Sequence, residues 1–335
     1  MSGITDNLEK IFETENLTPD LLVPVLEAEG PQLSELFEFA DQVRRQYCGD
    51  TVHIRAILEF SNHCRCDCAY CGLFAGNKNL TRFRMTPEEI VGAAQLAAKA
   101  GYRTLVLQSG EDLWYSKERM GEIIREIKAE TGLALTLSVG ERPFDDYAYW
   151  KSCGADRFLI KHETADRALY DRYHPHSDYQ QRLSCQKELS RLGYELGSGF
   201  MVGLPGQTVE TLAKDILHLK ELRVTMAGIG PYICHPGTRL RGSRDGSAEL
   251  TLKAVALSRI VLKDAYLPST TALNIKGGLR DALNCGANVI MQKVTPYQYR
   301  ELYDIYPGRE TKDMDFKKQL DDLKCALAQM GRTGV

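Results

Sequence analysis

Residues 52–73 read VHIRAILEFSNHCRCDCAYCGL, an apolar, β-branched run followed directly by four closely spaced cysteines. The run 52–60 has the composition of a buried β-strand. The cysteines are Cys64, Cys66, Cys68 and Cys71. A strand that leads into a group of thiols indicates a functional site at its carboxyl end, and the rest of the chain must form a fold that presents this end.

Seven further apolar runs repeat the pattern of the first one. They lie at residues 104–109, 133–139, 157–163, 195–203, 226–233, 268–274 and 287–294. Segments with helical spacing separate them, and several end in glycine, as helix C-caps often do. Eight alternating units predict an α/β fold of the (β/α)8 TIM-barrel type. A doubly wound open sheet is the competing interpretation, although no strong G-x-G-x-x-G motif follows the first run.

The chain is expected to have three parts. Residues 1–50 have helical patterns and predict an N-terminal helical extension that packs on the barrel. Residues 51–310 contain the alternating units, and residues 311–335 are polar and helical, as expected of a tail on the outside of the barrel.

Composition narrows the class of protein. The 335 residues carry a formal net charge of −3 and no long run of Lys or Arg, which argues against nucleic acid as the main partner. The first residues are polar, without the apolar core of a signal peptide, and no window offers about 18 consecutive apolar residues. We therefore expect a cytoplasmic protein that does not enter a membrane.

The chain contains ten cysteines, and the clustered four require a separate explanation. Clustering in a reducing compartment indicates metal binding. A structural zinc site usually needs a second Cys pair, and no second C-x-x-C occurs. A redox disulfide between Cys68 and Cys71 is a further alternative. The third is a 4Fe–4S cluster on Cys64, Cys68 and Cys71, which would leave one iron without a protein ligand. Cys66 is then expected to be a loop thiol without a ligand role.

The C-x3-C-x2-C spacing resembles that of the radical S-adenosylmethionine (radical SAM) enzymes. The resemblance implies that Cys64, Cys68 and Cys71 hold a 4Fe–4S cluster whose open iron binds the amino and carboxylate groups of S-adenosylmethionine. An electron from the cluster then cleaves the cofactor to a 5′-deoxyadenosyl radical. Tyr70, directly before the third cysteine, would lie near the adenine.

Polar residues at the ends of the later strands complete the expected cofactor site, because barrel enzymes place their chemistry at the carboxyl ends of strands. Ser109-Gly110-Glu111 resembles the segment that binds the methionine ammonium in these enzymes. Arg182 is expected to pair with the cofactor carboxylate, or equally to be a solvated helix residue. The expected cofactor-binding residues are Tyr70, Gln108, Gly110, Glu111, Ser138, Glu141, Lys161, Glu163, Arg182, Met201 and Tyr232.

Several segments resemble one family more closely, the FeFe-hydrogenase maturase family HydE, which is related to biotin synthase and methylornithine synthase. They include EFSNHCRCDCAYCGL, NKNLTRFRMTPEEIV, LVLQSGED, GFMVGLPGQT and YRELYDIYPG, within residues 55–310. The resemblance implies assembly of the diiron subcluster from a small cysteine-bound iron complex with CO and cyanide ligands. Ser109, Thr270, Thr271 and Tyr306 would line the substrate cavity as catalytic residues. A ferredoxin- or flavodoxin-type reductant and other maturases are the expected protein partners.

Two departures from the family pattern affect this interpretation. The tail has a single cysteine, Cys325, so no second cluster is expected there. Lys161 stands where an arginine is common, which keeps the charge and loses the two-pronged hydrogen bonding of a guanidinium. Two alternatives therefore stay open: a mutase or sulfur-handling enzyme of the same barrel group, such as methylornithine synthase, and a non-enzymatic carrier of iron–sulfur clusters.

Overall fold

The computed structural model describes residues 4–275, 277–308 and 315–335. Within these ranges, eight parallel strands run side by side in the order β6-β5-β4-β3-β2-β1-β8-β7. The strands are β1 (Thr51–Ser61), β2 (Thr104–Ser109), β3 (Ala134–Ser138), β4 (Arg157–Leu159), β5 (Glu195–Val202), β6 (Met226–Pro231), β7 (Pro268–Ser269) and β8 (Val289–Lys293).

Backbone hydrogen bonds close this sheet on itself. The Ala227 N–H donates to the carbonyl oxygen of Tyr266 at 2.9 Å, and the Tyr266 N–H donates to that of Thr225 at 2.8 Å. Tyr266 lies just before β7, so these bonds join the two ends of the strand order. The prediction of a (β/α)8 barrel is confirmed, and the open-sheet alternative is wrong.

Helices precede β1, occupy the connections between the strands and follow β8. They are α1 (Thr5–Glu13), α2 (Pro19–Leu26), α3 (Pro31–Cys48), α4 (Pro87–Ala100), α5 (Lys117–Thr131), α6 (Phe144–Ser152), α7 (Arg167–Tyr173), α8 (Tyr179–Arg191), α9 (Val209–Glu221), α10 (Ala248–Leu262), α11 (Thr271–Ile275), α12 (Leu279–Asn284), α13 (Tyr297–Arg300) and α14 (Phe316–Gln329). None of the helices in the described ranges is long and apolar enough to cross a membrane.

The expected helical N-terminus is present as α1, α2 and α3. Helix α2 packs on α9, and α3 packs on α10, so this segment contacts the outer helices of the barrel. The division of the chain into three parts stays a prediction. Its boundary between residues 310 and 311 lies outside the described residues.

The first strand shows how the sequence positions the site. Apolar side chains at alternate positions 52, 54, 56, 58 and 60 are buried in the main core, as expected for a strand with one face against helices. The short strand β9 (Thr333–Gly334) pairs with its beginning, and the Ile54 N–H donates to the Val335 carbonyl oxygen at 2.8 Å. Strand β1 is therefore fixed at its beginning, and its carboxyl end leads into the cysteines.

The seventh strand is shorter than the predicted 268–274. Asn274 folds back on Ser269, with its Nδ2 donating to the Ser269 carbonyl oxygen at 3.3 Å. The Asn274 N–H also donates to the Thr270 carbonyl oxygen at 2.9 Å, which begins a helical turn. Thr271 is therefore the first residue of α11 and not a strand residue.

We expect Leu107→Ala to lower the free energy of unfolding by about 2–5 kcal/mol, because the Leu107 side chain is fully buried in the core. Chemical denaturation followed by circular dichroism measures the change. Leu96→Ala is the matched control, since Leu96 is 56% exposed and its truncation should change stability by less than about 0.5 kcal/mol. Equal losses in both variants would contradict the assignment of Leu107 to the core.

Candidate active site

The cysteine loop, residues 62–82, follows β1 at the carboxyl-terminal mouth of the barrel. Arg82 closes this loop. Its guanidinium donates hydrogen bonds to the carbonyl oxygens of Asn62 at 2.5 Å, Leu73 at 3.0 Å and Phe74 at 2.7 Å. Asn62 in turn donates from Nδ2 to the Leu302 carbonyl oxygen at 2.7 Å, which ties the loop to the chain beyond β8.

The thiols of this loop differ in their surroundings. The Cys64 sulfur accepts backbone N–H bonds from Cys66 and Glu111, each at 3.4 Å. A hydrogen bond from the Cys66 thiol and these two N–H groups hold the pKa of Cys64 at about 7 despite its burial. Burial raises the pKa of Cys68, and burial next to Cys64 raises that of Cys71 to about 12. Two of the three motif thiols are therefore neutral unless a cation binds them, as expected of ligands that release protons to a metal.

The thiols of the loop do not converge on a single metal-ion position in the described residues. No group of three or more His, Cys, Asp or Glu side chains in the described ranges surrounds one metal-ion position. A tetrahedral zinc site would need such a group. In a 4Fe–4S cluster each cysteine binds a different iron, so the thiols need not converge on one point.

Gly110 lets the β2–α5 loop pack against the cysteine loop. A Cβ atom at this position would lie 2.3 Å from the His63 carbonyl oxygen and 2.7 Å from the Cys64 Cβ. The Gly110 N–H also donates to the Ser61 carbonyl oxygen at 3.2 Å. This close approach brings the next residue, Glu111, into contact with the Cys64 sulfur.

A cavity of about 240 Å³ opens beside the thiols. The ends of β2, β3 and β4 and helix α8 contribute to its wall. The structure thus brings together eight of the eleven residues that the sequence placed at the cofactor, which line this cavity with the cysteines: Tyr70, Gln108, Gly110, Glu111, Ser138, Lys161, Glu163 and Arg182. Ser109, which was expected to line the substrate cavity, lines this cavity as well.

Arg182 is buried in this wall and is not a solvated helix residue. Its Nε bonds the Glu141 Oε1 at 2.5 Å, and a terminal nitrogen donates to the Lys161 carbonyl oxygen at 2.7 Å. The Glu141 N–H donates to the Glu111 Oε1 at 2.8 Å. Glu141 therefore orients the Arg182 guanidinium, and it does not itself line the cavity.

Glu163 points a buried carboxylate at the cavity from a strained backbone position. Its φ of 65° lies in the left-handed region, which costs a non-glycine residue free energy. Backbone bonds to β5 maintain this position, from the Glu163 N–H to the Gly199 carbonyl oxygen and from the Met201 N–H to that of Glu163, both at 3.1 Å. Burial opposes ionisation, but the neighbouring groups Lys161, 3.2 Å away, His174 and Arg182 together outweigh it and hold the pKa of Glu163 below its ordinary value.

The Glu163 Oε2, which lies 3.2 Å from the Lys161 Nζ, is buried and has this ionic contact but no hydrogen bond of good geometry in the described structure. Buried polar atoms are normally hydrogen-bonded, so this oxygen has capacity for a hydroxyl or ammonium group in the cavity. The observation fits the predicted contact with the ribose or the methionine amine of S-adenosylmethionine.

His174 is a cavity residue that the sequence reasoning missed. Its Nε2 lies 2.7 Å from the Tyr70 hydroxyl, and its Nδ1 lies 3.1 Å from the Tyr170 carbonyl oxygen. Burial lowers the pKa of His174 to about 4, with a further contribution from Arg182. A neutral ring that donates from Nδ1 and accepts at Nε2 satisfies both contacts and orients Tyr70.

A second cavity of about 190 Å³ adjoins the first. Both are lined by Tyr70, Cys71, Lys161 and Glu163, so these residues stand at the junction. Four other predicted residues line the second cavity: Met201, Tyr232, Thr270 and Tyr306. Thr271, which was expected there too, begins α11 and lines neither cavity.

Residues 58–219 match the Radical SAM superfamily. The chain is 48% identical to the FeFe-hydrogenase maturase subunit HydE of Thermotoga maritima, over 98% of this chain and 93% of that protein. It is 26% identical to 3-methylornithine synthase of Methanosarcina acetivorans, over 98% of this chain and 92% of that protein. The crystal structure of the methylornithine synthase PylB superposes with a TM-score of 0.84 at 23% identity, covering 98% of this chain and 97% of that chain, and supports the fold.

The chain belongs to the HydE family of radical SAM enzymes.

Family membership decides between the alternatives for the cysteine loop. Radical SAM enzymes use a 4Fe–4S cluster and S-adenosylmethionine, so the chain uses an iron–sulfur cluster, and this favours the cluster over zinc or a redox disulfide for the loop. The thiols, the cavity beside them and the available Glu163 oxygen fit these two groups. The roles assigned to individual residues, including the three cluster ligands Cys64, Cys68 and Cys71, stay predictions.

Two residues outside the predicted set support the radical SAM site. Arg82 was missed, although its segment carries part of the family resemblance, because nothing in the sequence indicates that its guanidinium turns back on the cysteine loop. His174 was missed because it follows α7 and reaches the cavity only through the packing of that helix.

Gly110→Ala is expected to reduce cluster assembly at least several-fold, because its Cβ would displace the backbone at His63 and Cys64. Iron and sulfide per chain after anaerobic reconstitution measure the effect, together with the absorbance of the cluster. Gly92→Ala is the matched control. Gly92 lies inside α4 with no atom within 4 Å of a Cβ, and alanine favours helices, so this variant should assemble a full cluster. Full assembly in Gly110→Ala would show that the close approach is dispensable.

His174→Gln is expected to flatten the dependence of stability on pH. The folded-state pKa of His174 is depressed from 6.5 to about 4, so the unfolded chain binds more protons in this window. Folding stability should therefore rise with pH from about 4 to 6.5, with a contribution from His174 of up to about 1.4 kcal/mol per pH unit. Unfolding free energies at several pH values measure the slope. His176→Gln, at a side chain that is 60% exposed, should leave it unchanged, and equal slopes in His174→Gln and the parent would contradict the buried neutral ring.

Proposed function

We propose that this radical SAM enzyme acts in FeFe-hydrogenase maturation, on a small cysteine-ligated iron complex that carries carbon monoxide and cyanide. The observation that carries the proposal is the nearly full-length similarity to the Thermotoga maritima protein, whose name places it in hydrogenase maturation. The two adjoining cavities support it, because they provide separate spaces for a cofactor and a small substrate.

The junction of the cavities is suited to a reaction between cofactor and substrate. When bound, the cluster and S-adenosylmethionine supply a 5′-deoxyadenosyl radical. Tyr70, Lys161 and Glu163 contact both spaces, so a substrate in the second cavity would lie beside the cofactor in the first. Apolar residues Ile233 and Ile305 contribute to the wall of the second cavity and help to exclude water from it.

Polar groups of the second cavity provide contacts for the ligands of an iron complex. The Lys161 ammonium supplies a cation for a cyanide nitrogen or a cysteine carboxylate. Thr270 and Tyr306 line the same cavity and carry hydroxyl groups. The Glu163 carboxylate, 3.2 Å from the Lys161 Nζ, forms an ion pair with this lysine and limits its movement.

A methylornithine synthase-like mutase is the second candidate function, since those enzymes match the chain over nearly its whole length. By their name, these enzymes make an amino acid, which contains no iron. The Lys161–Glu163 pair could bind the carboxylate and ammonium of such a substrate as well. A carrier of iron–sulfur clusters is the non-enzymatic alternative, and it would have no need to cleave S-adenosylmethionine.

The setting of the proposed reaction follows from its chemistry. All ten cysteines are free thiols, which suits the reducing cytoplasm. We infer that a ferredoxin- or flavodoxin-type protein supplies the electron and that other maturases supply and receive the iron complex. Because Cys325 is the single cysteine in the tail, we also propose that the enzyme works without a second cluster.

The decisive experiment combines spectroscopy with turnover. The reduced, reconstituted protein should give a 4Fe–4S electron paramagnetic resonance signal that changes when S-adenosylmethionine is added. Addition of the iron–cysteine complex should then yield adenosyl products that lysine, the amino-acid probe, does not yield. Cys64→Ala should abolish both results, while the exposed Cys325→Ala should leave both intact.

Other outcomes would favour one of the two alternative functions or contradict the maturation proposal. Turnover with lysine and none with the iron complex would favour the mutase. An electron paramagnetic resonance signal of the cluster that does not change when S-adenosylmethionine is added would favour the function of an iron–sulfur cluster carrier. Normal hydrogenase maturation in a deletion strain complemented with Cys64→Ala would overturn the maturation proposal.

A further inference from the structure

An exposed apolar pair lies next to the cluster thiols. Leu113 is 51% exposed and Trp114 is 40% exposed, on the same β2–α5 loop that carries Gly110 and Glu111. The Glu111 N–H donates to the Cys64 sulfur at 3.4 Å, and Trp114 follows three residues later. Three residues span at most about 11 Å, so the Trp114 backbone lies within that distance of the Glu111 backbone.

Cationic side chains surround this pair. The Arg119 guanidinium lies 3.9 Å from the centre of the Trp114 ring and donates to the Trp114 carbonyl oxygen. Arg84 lies 5.8 Å from the same ring centre, and its side chain is 34% exposed. Lys117 is 38% exposed at the start of α5. Leu113, Trp114, Lys117, Arg119 and Arg84 are called the Trp114 patch below.

Acidic groups offset part of the charge of the patch. Asp112 is buried and pairs with Arg84 at 2.7 Å, and Glu118 lies 3.9 Å from Lys117. Arg65 lies on the neighbouring cysteine loop with 52% of its side chain exposed, and it pairs with the buried Glu111 at 3.0 Å. Four cationic side chains thus stand against three carboxylates, of which Glu118 is the exposed one. The surface beside the cysteine loop therefore keeps a small cationic excess.

We propose that the Trp114 patch is the docking surface for a small acidic electron-carrier protein. The inference rests on the proposed function, because it assumes a cluster on Cys64, Cys68 and Cys71 that must be reduced. One electron leaves the reduced carrier and enters the cluster, which passes from the 2+ to the 1+ state, and no atom is transferred.

The physical character of the patch matches this partner. Exposed tryptophan and arginine are the residue types that contribute most to binding at protein interfaces. Electron-transfer complexes have small interfaces, so a patch of a few residues suffices. Opposite charge speeds the encounter of the partners and orients them, and it does so most strongly at low ionic strength.

The test compares two variants of the patch with matched controls. Lys117→Glu with Arg119→Glu reverses two charges, and Trp114→Ala removes the apolar contact. The charge control is Lys317→Glu with Lys318→Glu on α14, where both side chains are exposed. The aromatic control is Tyr297→Ala, at a residue that is 51% exposed. None of these residues lines either cavity.

Three measurements on the holoenzyme separate docking from chemistry. They are the rate at which photoreduced flavodoxin, an acidic carrier, reduces the cluster; the affinity for flavodoxin; and the cleavage of S-adenosylmethionine driven by dithionite. We expect both patch variants to slow reduction by flavodoxin and weaken its binding at least tenfold at low salt. High salt should remove most of the difference for the charge variant, and dithionite-driven cleavage should stay within twofold of the parent in every variant.

The outcomes of these measurements distinguish the docking proposal from self-association and from a failure of the proposed function. Unchanged reduction by flavodoxin in the patch variants, or an equal loss in the controls, would overturn the docking proposal. So would a concentration-dependent self-association that the patch variants abolish, since the occupant would then be a second copy of this chain. Failure of the unmodified protein to cleave S-adenosylmethionine with dithionite would instead refute the proposed function on which the inference rests.

Discussion

One guanidinium determines the shape of the loop on which the chemistry depends. Arg82 donates to backbone carbonyl groups on both sides of the four cysteines, so the thiols between them are held on a closed turn. Without this closure, a loop of about twenty residues would lose much conformational entropy on binding a cluster. The same cation lies near Cys64 and Cys71, where it favours their thiolate forms.

The barrel supplies the second constraint, because parallel strands bring all their carboxyl ends to one mouth. The cofactor cavity is lined from the ends of three consecutive strands, β2, β3 and β4, beside the cysteine loop. The strand ends bring several charged side chains together around the cavity. A charged side chain that is buried needs an oppositely charged or hydrogen-bonding partner. Arg182 pairs with Glu141 and lies 3.9 Å from Glu111, and the Glu141 backbone N–H donates to the Glu111 carboxylate. These contacts pair the buried charges and keep the guanidinium oriented. Glu163 adds a strained, left-handed backbone that its hydrogen bonds to β5 maintain, and strain of this kind is common at functional sites.

Much of the fold and the site could be predicted from the sequence, because both follow from local patterns. Apolar periodicity predicted the strands and the barrel, and the spacing of Cys64, Cys68 and Cys71 predicted an iron–sulfur cluster. The polar residues at strand ends were correctly placed at the mouth, since the direction of a parallel strand decides where its end lies.

Only the tertiary structure decided which side chains turn inward. Arg182 could have been solvated, and it is buried; Thr271 was expected in the cavity, and it begins a helix because Asn274 folds back on Ser269. Arg82 and His174 act through contacts made by folding, to loop carbonyl groups and to Tyr70. The sequence by itself determined the repeating units and the thiol motif, which depend on neighbours along the chain. Side-chain orientation and pairing depend on groups distant in sequence, and no local pattern records them.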